Sequence, residues 1–485
     1  MNFNLVEMYN GLLRFNKHIL NELAEGLKHL PDLDGVSKGD SLIINEQGNP
    51  AWGSAAFIPT FENAAYGIEW TKDDNDIIRI GNAKFHRELP IQNRLKGCVY
   101  NEKKISYFLN PTGWAKPLEN GLVPPLDGSD GDVGVRVSEF YICVKDTGTK
   151  YQLWISDFNI DGTFTRVHPF IISHTKTMTR TREDGKEEVF SACITHDDTR
   201  YLGGNKSSSV IATKLQGRPR TGINYDKANE FCANRGDWIT MIDYLEYCAI
   251  QALCYIEYAN FDNQAALNTN LTSEGFKQGG LGAGVTNLEW NRWSRFNGNN
   301  PIVQTYWSAE HNIGNGNTNG DHYELSAYND DGSNLSTYPA FYHGIHLFGD
   351  IWSFVRDVVI INKDTDYNSV YLLKKGVAHA DVTVDNVDEK CYFIGYQANA
   401  NNYITEFDLQ RGPYFVPNLV GTNKKFDYNY IHGNNGQDTD KSVRVLLVGG
   451  NAGGGSGAGS GYFYSDWVRS DSGTLVGFFT TVKLD

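Results

Sequence analysis

The chain has 485 residues, with 43 Lys and Arg against 58 Asp and Glu, for a formal net charge of −15. This charge repels a phosphate backbone and excludes nucleic acid as the expected partner. Aromatic residues at 13% and 50 glycines are typical of a β-rich, turn-rich protein, and no stretch approaches the roughly 18 apolar residues of a membrane span.

The start of the chain and its cysteines give expectations about export and about the redox state of the thiols. Residues 1–7 contain no basic segment followed by an apolar core, so we expect no standard export signal. The seven cysteines are odd in number and form no Cys-x-x-Cys motif, which favours reduced core cysteines over a disulfide framework or a zinc ribbon.

Residues 1–31 show helical periodicity. Apolar side chains recur every three or four residues until Pro31 ends the pattern. The seam predicted to mediate oligomerisation comprises Leu5, Met8, Leu12, Phe15, Ile19, Leu23 and Leu27. Such a seam predicts a short helix that either joins a coiled-coil-like assembly or lies against its own domain.

Residues 32–56 follow the order Gly-Asp-x-Leu-x-x-Asn, then Gly, then Trp, from Gly39 to Trp52. This order resembles the small β module of trimeric phage fibres, in which each chain adds one strand, one turn and one Trp to a shared core. Neither this segment nor the helix before it could bury its apolar side alone. We therefore expect residues 1–56 to form an oligomerisation stalk, with Trp52 in its core.

Residues 57–130 alternate short apolar runs with Gly, Asn, Asp and Pro, which predicts a small β domain. Two of its stretches, 86–100 and 106–114, are similar to a segment that precedes lectin-fold domains in fibre proteins of gut phages, including crAss-like ones. The acidic turn 126–133 favours a solvated turn over a calcium loop, because it lacks the later Gly and Glu of an EF-hand.

Two helices are predicted next. Asn224 can cap a helix over 225–235 that ends at Gly236, and Thr240 can cap a second helix over 241–258. The order of Gly, Cys, Trp and Tyr residues through these helices resembles the paired helices of the formylglycine-generating-enzyme (sulfatase-modifying factor) fold, a branch of the C-type lectin fold.

The stretch 342–357 resembles the core motif of the same family, Gly-(Leu/Ile)-x-Asp-x-x-Gly-Asn-Val-Trp-Glu-Trp-Val. Two glycines bracket a tight turn, and an alternation with a period of two predicts a buried strand behind it. Near the C-terminus, 442–451 and 476–479 resemble the closing strands of that fold. The positions expected in the fold core are Gly344, Gly349, Trp352, Gly449, Gly450 and Gly477.

Between the closing strands lies a Gly- and Ser-rich segment followed by aromatic and charged residues. Its composition is typical either of a flexible turn-rich loop or of an adaptable recognition surface, and phosphate binding is disfavoured because no helix or Gly-Lys-Ser/Thr follows. In the phage lectin-fold proteins that it resembles, this interval contacts ligands. The hypothetical ligand-binding residues are Asn451, Ser456, Tyr462, Tyr464, Asp466, Trp467 and Arg469.

Catalytic chemistry is not expected. Only Cys391 follows Cys254, so the cysteine pair of the formylglycine-generating enzymes has no counterpart in this chain. For His343 and His346, which lie on the Gly turn, a core or surface role is favoured over metal binding. We predict no catalytic residue, no metal and no cofactor. A pair of carboxylates for sugar hydrolysis stays an open alternative, because two such residues can be distant in the sequence and meet only in the folded chain.

The sequence thus predicts a β-rich α+β chain: an N-terminal helix (1–31), a fibre-type β module (32–56), a small β domain (57–130) and a C-type lectin-like domain (131–485) with an insertion near 364–440. The favoured hypothesis is a homotrimeric virion fibre of a tailed phage, assembled in the host cytoplasm. It would attach to capsid or tail proteins through its N-terminal region, and would bind a glycan or protein on the bacterial surface or decorate the capsid. The alternative is a cytoplasmic enzyme of the sulfatase-modifying-factor fold with an unrecognised active site.

Overall fold

The computed structural model describes residues 41–44, 50–53, 58–72, 76–193, 203–204, 217–287, 325–328, 334–337, 339–362, 367–424, 426–431 and 442–484. The chain divides into two compact units, Met1–Thr60 and Phe61–Asp485. The helix predicted over 1–31 and its apolar seam lie outside the described residues, so the helical stalk stays a prediction.

The first unit contains one described strand pair. Strands β1 (Ser41–Ile44) and β2 (Pro50–Gly53) are antiparallel, with Leu42 opposite Trp52. This is the segment in which the sequence predicts a fibre-type β module. The oligomeric role of Trp52 stays a prediction.

The second unit is β-rich with few helices, as predicted. Its helices are α1 (Phe61–Ala64), α2 (Ala83–Glu88), α3 (Tyr225–Arg235), α4 (Tyr244–Tyr258) and α5 (Val387–Lys390). Its first strands are β3 (Ala65–Thr71), β4 (Ile77–Gly81), β5 (Lys96–Asn101), β6 (Lys104–Phe108), β7 (Asp132–Val137), β8 (Phe140–Asp146), β9 (Lys150–Ser156), β10 (Thr165–Val167), β11 (Phe170–Ser173), β12 (Met178–Thr181), β13 (Glu187–Phe190) and β14 (Thr240–Met241).

The remaining strands follow helix α4. They are β15 (Leu267–Asn268), β16 (Gln278–Gly279), β17 (Leu325–Tyr328), β18 (Asn334–Thr337), β19 (Ala340–Tyr342), β20 (Ile345–Phe348), β21 (Trp352–Asn362), β22 (Tyr367–Leu373), β23 (Cys391–Ala398), β24 (Asn402–Asp408), β25 (Val416–Gly421), β26 (Tyr428–Ile431), β27 (Val443–Gly449), β28 (Gly459–Ser465), β29 (Val476–Phe478) and β30 (Thr480–Lys483).

Two sheets combine strands from both sides of the predicted boundary at residue 130. One has the order β10-β8-β9-β3-β4 and the other β14-β30-β11-β7-β5-β6. Strand β3 pairs with β9, and β5 pairs with β7. Because short strands bury their faces only within a larger sheet, residues 61–108 complete the sheets of the later chain, and the predicted boundary falls inside one compact unit.

The largest sheet has the order β23-β22-β21-β27-β28-β26-β24-β25, and β29 pairs with β21 in parallel. Residues 364–440, expected as an insertion, supply strands β22 to β26 of this sheet. Their strands therefore extend the sheet that contains β21.

The helix predictions are confirmed in part. Helix α3 begins after Asn224, whose side chain accepts a hydrogen bond from the Lys227 amide, and it ends at Gly236. The predicted cap at Thr240 is wrong. Thr240 pairs with β30 instead, and α4 begins after Asp243, which forms a capping box with Glu246. Helix α4 is buried almost all round, not only along one face.

Strand β21 starts at Trp352, which is 4% exposed, and is buried on both faces at its start. The turn before it passes close to Trp114: a Cβ at Gly344 would lie 2.6 Å from that ring, and Gly344 has a φ of +88°. Only glycine fits this position without strain. All the glycines predicted for the fold core are buried.

All seven cysteines are buried, and none forms a disulfide. Among the helices that the structure describes, none has the length and apolarity that crossing a membrane requires.

Candidate functional site

Three neighbouring strands of the largest sheet carry tyrosines on one face. Strand β26 runs parallel to β28, with Tyr430 beside Tyr464, and antiparallel to β24, with Tyr428 beside Tyr403. Side chains two residues apart on a strand share a face, so Tyr462 lies on the same side as Tyr464. The tyrosine face is defined here as Tyr403, Tyr428, Tyr430, Tyr462 and Tyr464.

The rings of the tyrosine face contact one another in sequence. Tyr430 stacks on Tyr464 with ring centroids 4.9 Å apart and planes 7° apart. Tyr428 packs edge-on against Tyr403 at 5.3 Å and tilts toward Tyr462 at 5.7 Å. These contacts restrict the rings before any ligand arrives.

The buried Trp352 packs against two tyrosines of the face, Tyr462 and Tyr464. The ring centroid of Trp352 lies 4.4 Å from that of Tyr462 and 4.7 Å from that of Tyr464. Tyr462 is 7% exposed, whereas the other four tyrosines are half-buried. Rings fixed along one edge offer contact area at a low cost in conformational entropy.

The phenol groups of Tyr428, Tyr462 and Tyr464 stay neutral at physiological pH. Burial raises the pKa of Tyr428, Tyr462 and Tyr464 above the ordinary tyrosine value. The Tyr464 hydroxyl donates to the Asp466 carboxylate over 3.1 Å, and the Tyr403 and Ser456 hydroxyls lie 2.7 Å apart. The face therefore combines apolar rings with hydroxyl donors and a carboxylate acceptor.

Buried amides support the strands from the opposite side. Gln397 donates to Asn429 over 2.7 Å, and Asn429 donates to the carbonyl of Ala398 over 3.0 Å. The Ser465 hydroxyl donates to Gln397 over 2.9 Å. This network joins β23, β26 and β28, and so fixes the spacing of the strands that carry the rings.

The Gly-rich loop borders the face and is anchored to the protein. Residues Ala452–Gly457 form a short 3-10 helix. Gln264 donates to the Gly455 carbonyl over 3.0 Å, and the Gly461 amide donates to the buried Asp427 over 2.7 Å. These bonds define the path of the segment. From the sequence, the same segment could be either a flexible loop or a recognition surface.

The structure brings some of the predicted ligand residues together. Tyr462 and Tyr464 belong to the tyrosine face, while Ser456 and Asp466 bond to its hydroxyls. Trp467 packs against the same hydrophobic cluster as Tyr464, with its ring centroid 6.1 Å from that of Phe354.

Of the other two predicted residues, one pairs with a helix and the other begins the Gly-rich loop. Arg469 pairs with Asp226 at the start of α3, with a nitrogen–oxygen distance of 3.3 Å. Asn451 precedes the 3-10 helix without capping it through its side chain. Sequence reasoning missed Tyr403, Tyr428 and Tyr430, although the spacing of Tyr428 and Tyr430 repeats that of Tyr462 and Tyr464.

A polar cleft of about 1060 Å³ lies between the β12–β13 hairpin, the β5–β6 turn and the end of α3, with Trp238 on its wall. Its charges pair within the protein: Arg235 bonds to Asp132 and Glu188, and Arg180 bonds to Glu188. These pairs tie the hairpin to α3.

The histidines considered for metal binding lie in the core. His343 and His346 are fully buried, and His343 Nε2 lies 2.8 Å from a carboxylate oxygen of Glu257. In the part of the chain that the structure describes, no group of three His, Cys, Asp or Glu side chains is arranged to hold a metal ion.

Comparison of the sequence with models of protein families gives no match, and comparison with curated proteins gives none either. The resemblance to phage fibre and lectin-fold proteins therefore stays an expectation. We argue function from the residues of this chain.

Proposed function

We propose that this chain is a structural fibre protein of a tailed-phage virion and that the tyrosine face binds a glycan or protein on the bacterial surface. Residues 1–56 trimerise the chain and attach it to other virion proteins. The second unit contains the C-type lectin-like fold, and the tyrosine face is its ligand-binding surface. Assembly takes place in the host cytoplasm.

The observation that carries this proposal is the tyrosine face itself. Four tyrosine rings are half-buried side by side, although a sheet face that served only packing would be covered. Tyrosines supply rigid contact area with a hydrogen-bonding end, which is the composition of adaptable recognition surfaces.

The polar groups around the rings define the chemistry of the ligand. The Asp466 carboxylate and the Ser456 hydroxyl lie at the rim of the face, and neither requires a charged ligand. A ligand with apolar patches and many hydroxyls fits best, which favours a neutral glycan over an anionic one.

The sequence supports the fibre part of the proposal through residues 39–52 and 1–31. Their patterns leave apolar side chains that one chain could not bury. An enzyme has no need of such a module, whereas a fibre requires it.

Binding to intact cells tests the ligand-binding claim. Labelled full-length protein would be incubated with a panel of gut bacterial isolates and measured by flow cytometry, with Tyr430→Ala/Tyr464→Ala as the test variant. Tyr392→Ala is the matched control, because Tyr392 is 60% exposed on β23, outside the tyrosine face.

We expect wild type and Tyr392→Ala to bind the same isolates and the double variant to lose most of the signal. Equal binding by all three proteins would contradict a role for the tyrosine face. Binding to no isolate would contradict host attachment and leave capsid decoration as the function of the fibre.

A further inference from the structure

A buried lysine and a buried aspartate meet at the centre of the second unit. Lys176 lies between β11 and β12, and Asp350 lies between β20 and β21. The Lys176 Nζ is 2.8 Å from the Asp350 Oδ1, and both side chains are completely buried. The pair joins segments 174 residues apart in the chain.

The backbone holds Asp350 firmly. Its φ is +34°, in the left-handed region that non-glycine residues rarely adopt. Its carbonyl accepts a hydrogen bond from the Ala452 amide over 3.0 Å, and the preceding Gly349 amide donates to Gly449 over 3.1 Å. Strained positions persist where the surrounding structure fixes them, and they cluster at sites of function.

A histidine lies beside the pair. His346 Nδ1 is 3.7 Å from the same Asp350 oxygen, and its ring is completely buried. Within the described residues, neither ring nitrogen has a hydrogen-bond partner. Burial lowers the pKa of His346 to about 3, so the ring is neutral at physiological pH.

We propose that Lys176 and Asp350 form an intramolecular isopeptide bond. One proton first moves from the Lys176 ammonium to the Asp350 carboxylate, giving an amine and a carboxylic acid. The Nζ lone pair then attacks Cγ, the bond from Cγ to its hydroxyl oxygen breaks, and the second proton passes from Nζ to the departing hydroxyl. One amide and one water result, with no oxidation or reduction and no further reactant.

Burial and geometry both favour this step. Two charges removed from water carry a desolvation cost that a neutral amide avoids. Two reactants held in contact react as if at very high concentration. The Lys483–Asp243 pair supplies the contrast: its nitrogen–oxygen distance is 2.6 Å, but the Lys483 side chain is 54% exposed, so water stabilises the ion pair.

Intact-mass spectrometry of the denatured full-length protein tests the proposal. We expect wild type to be lighter than its sequence by the mass of one water molecule, and a tryptic digest to contain one branched peptide joining Lys176 to Asp350. A wild-type mass equal to that of the sequence would overturn the proposal.

Variants separate this bond from other dehydrations. Lys176→Met should restore the sequence mass, whereas Lys483→Met should keep the deficit of one water. Asp350→Asn should form the same amide with loss of ammonia instead. Asp-Gly sites such as Asp161-Gly162 also lose water on forming a succinimide, so a deficit that survives Lys176→Met, or that maps to such a site, would refute the bond.

Discussion

Tyr430 and Tyr464 stack face to face, with ring centroids 4.9 Å apart and planes 7° apart. They are register partners on the parallel strands β26 and β28, although 34 positions separate them in the sequence. Because each ring covers one side of the other, we treat the two side chains as one binding unit.

Coupling between these rings is the first prediction. Tyr430→Ala and Tyr464→Ala should each weaken ligand binding, and the double variant should lose less than the sum of the two, with a coupling of about 0.5–1.5 kcal/mol. A double-mutant cycle of binding free energies measures it. Strict additivity would show that the ligand contacts the two rings independently.

Trp467 and Arg469, both predicted as ligand residues, give a second prediction. Trp467 packs against the hydrophobic cluster that supports the tyrosine face, whereas Arg469 pairs with Asp226 of α3. Trp467→Ala should keep the fold and weaken binding by about 2 kcal/mol if the indole is a hot spot. Arg469→Ala should leave binding unchanged. Titration calorimetry with the bound glycan or protein measures both. A loss of binding for Arg469→Ala but not for Trp467→Ala would indicate that the ligand binds near α3 instead.

Trp352 is predicted to stabilise the fold. Its indole is 4% exposed and contacts Tyr462 and Tyr464, so Trp352→Ala should lower the free energy of unfolding by about 3–5 kcal/mol. The exposed control Tyr392→Ala should change it by less than about 0.5 kcal/mol. Urea unfolding measures both values, and an unchanged midpoint for Trp352→Ala would refute its place in the core.

Asp427 should make stability depend on pH. Burial raises the pKa of Asp427 to about 8, although Lys424 opposes the shift. Since the folded-state pKa lies above the unfolded one, the folded chain binds the extra proton, and stability falls as pH rises from about 4 to about 8. The contribution of this group is at most about 1.4 kcal/mol per pH unit.

Asp427→Asn removes this titration while keeping an oxygen to accept from the Gly461 amide. Unfolding free energies measured at several pH values should therefore decline less steeply for the variant than for wild type over that range. Parallel curves would show that Asp427 is ionised in the folded chain.

Local sequence signals predicted local structure well. Asn224 and Gly236 mark the two ends of α3 because capping is decided by neighbouring residues. The cap at Thr240 was wrong because pairing with β30, more than 200 residues away, overrides the local signal. Long-range pairing also explains the predicted boundary near residue 130. Strands on its two sides pair with each other, and local composition carries no signal of that pairing.

The sequence predicts only those residues of the candidate site that lie next to one another in the chain. Tyr462, Tyr464 and Asp466 follow one another on and after β28, so composition alone could identify them. Tyr403 and Tyr428 join them only through the pairing of β24, β26 and β28. Contacts between Lys176 and Asp350 likewise depend on segments that meet only in the folded chain.

The solution mass of the full-length chain, measured by light scattering beside a chain lacking residues 1–56, tests the fibre proposal most directly. The chain is 54.3 kDa. We predict a mass three times that value for the full-length protein and a monomer after truncation. A monomer in both samples would contradict the stalk, and with it the assignment of this chain to a trimeric fibre.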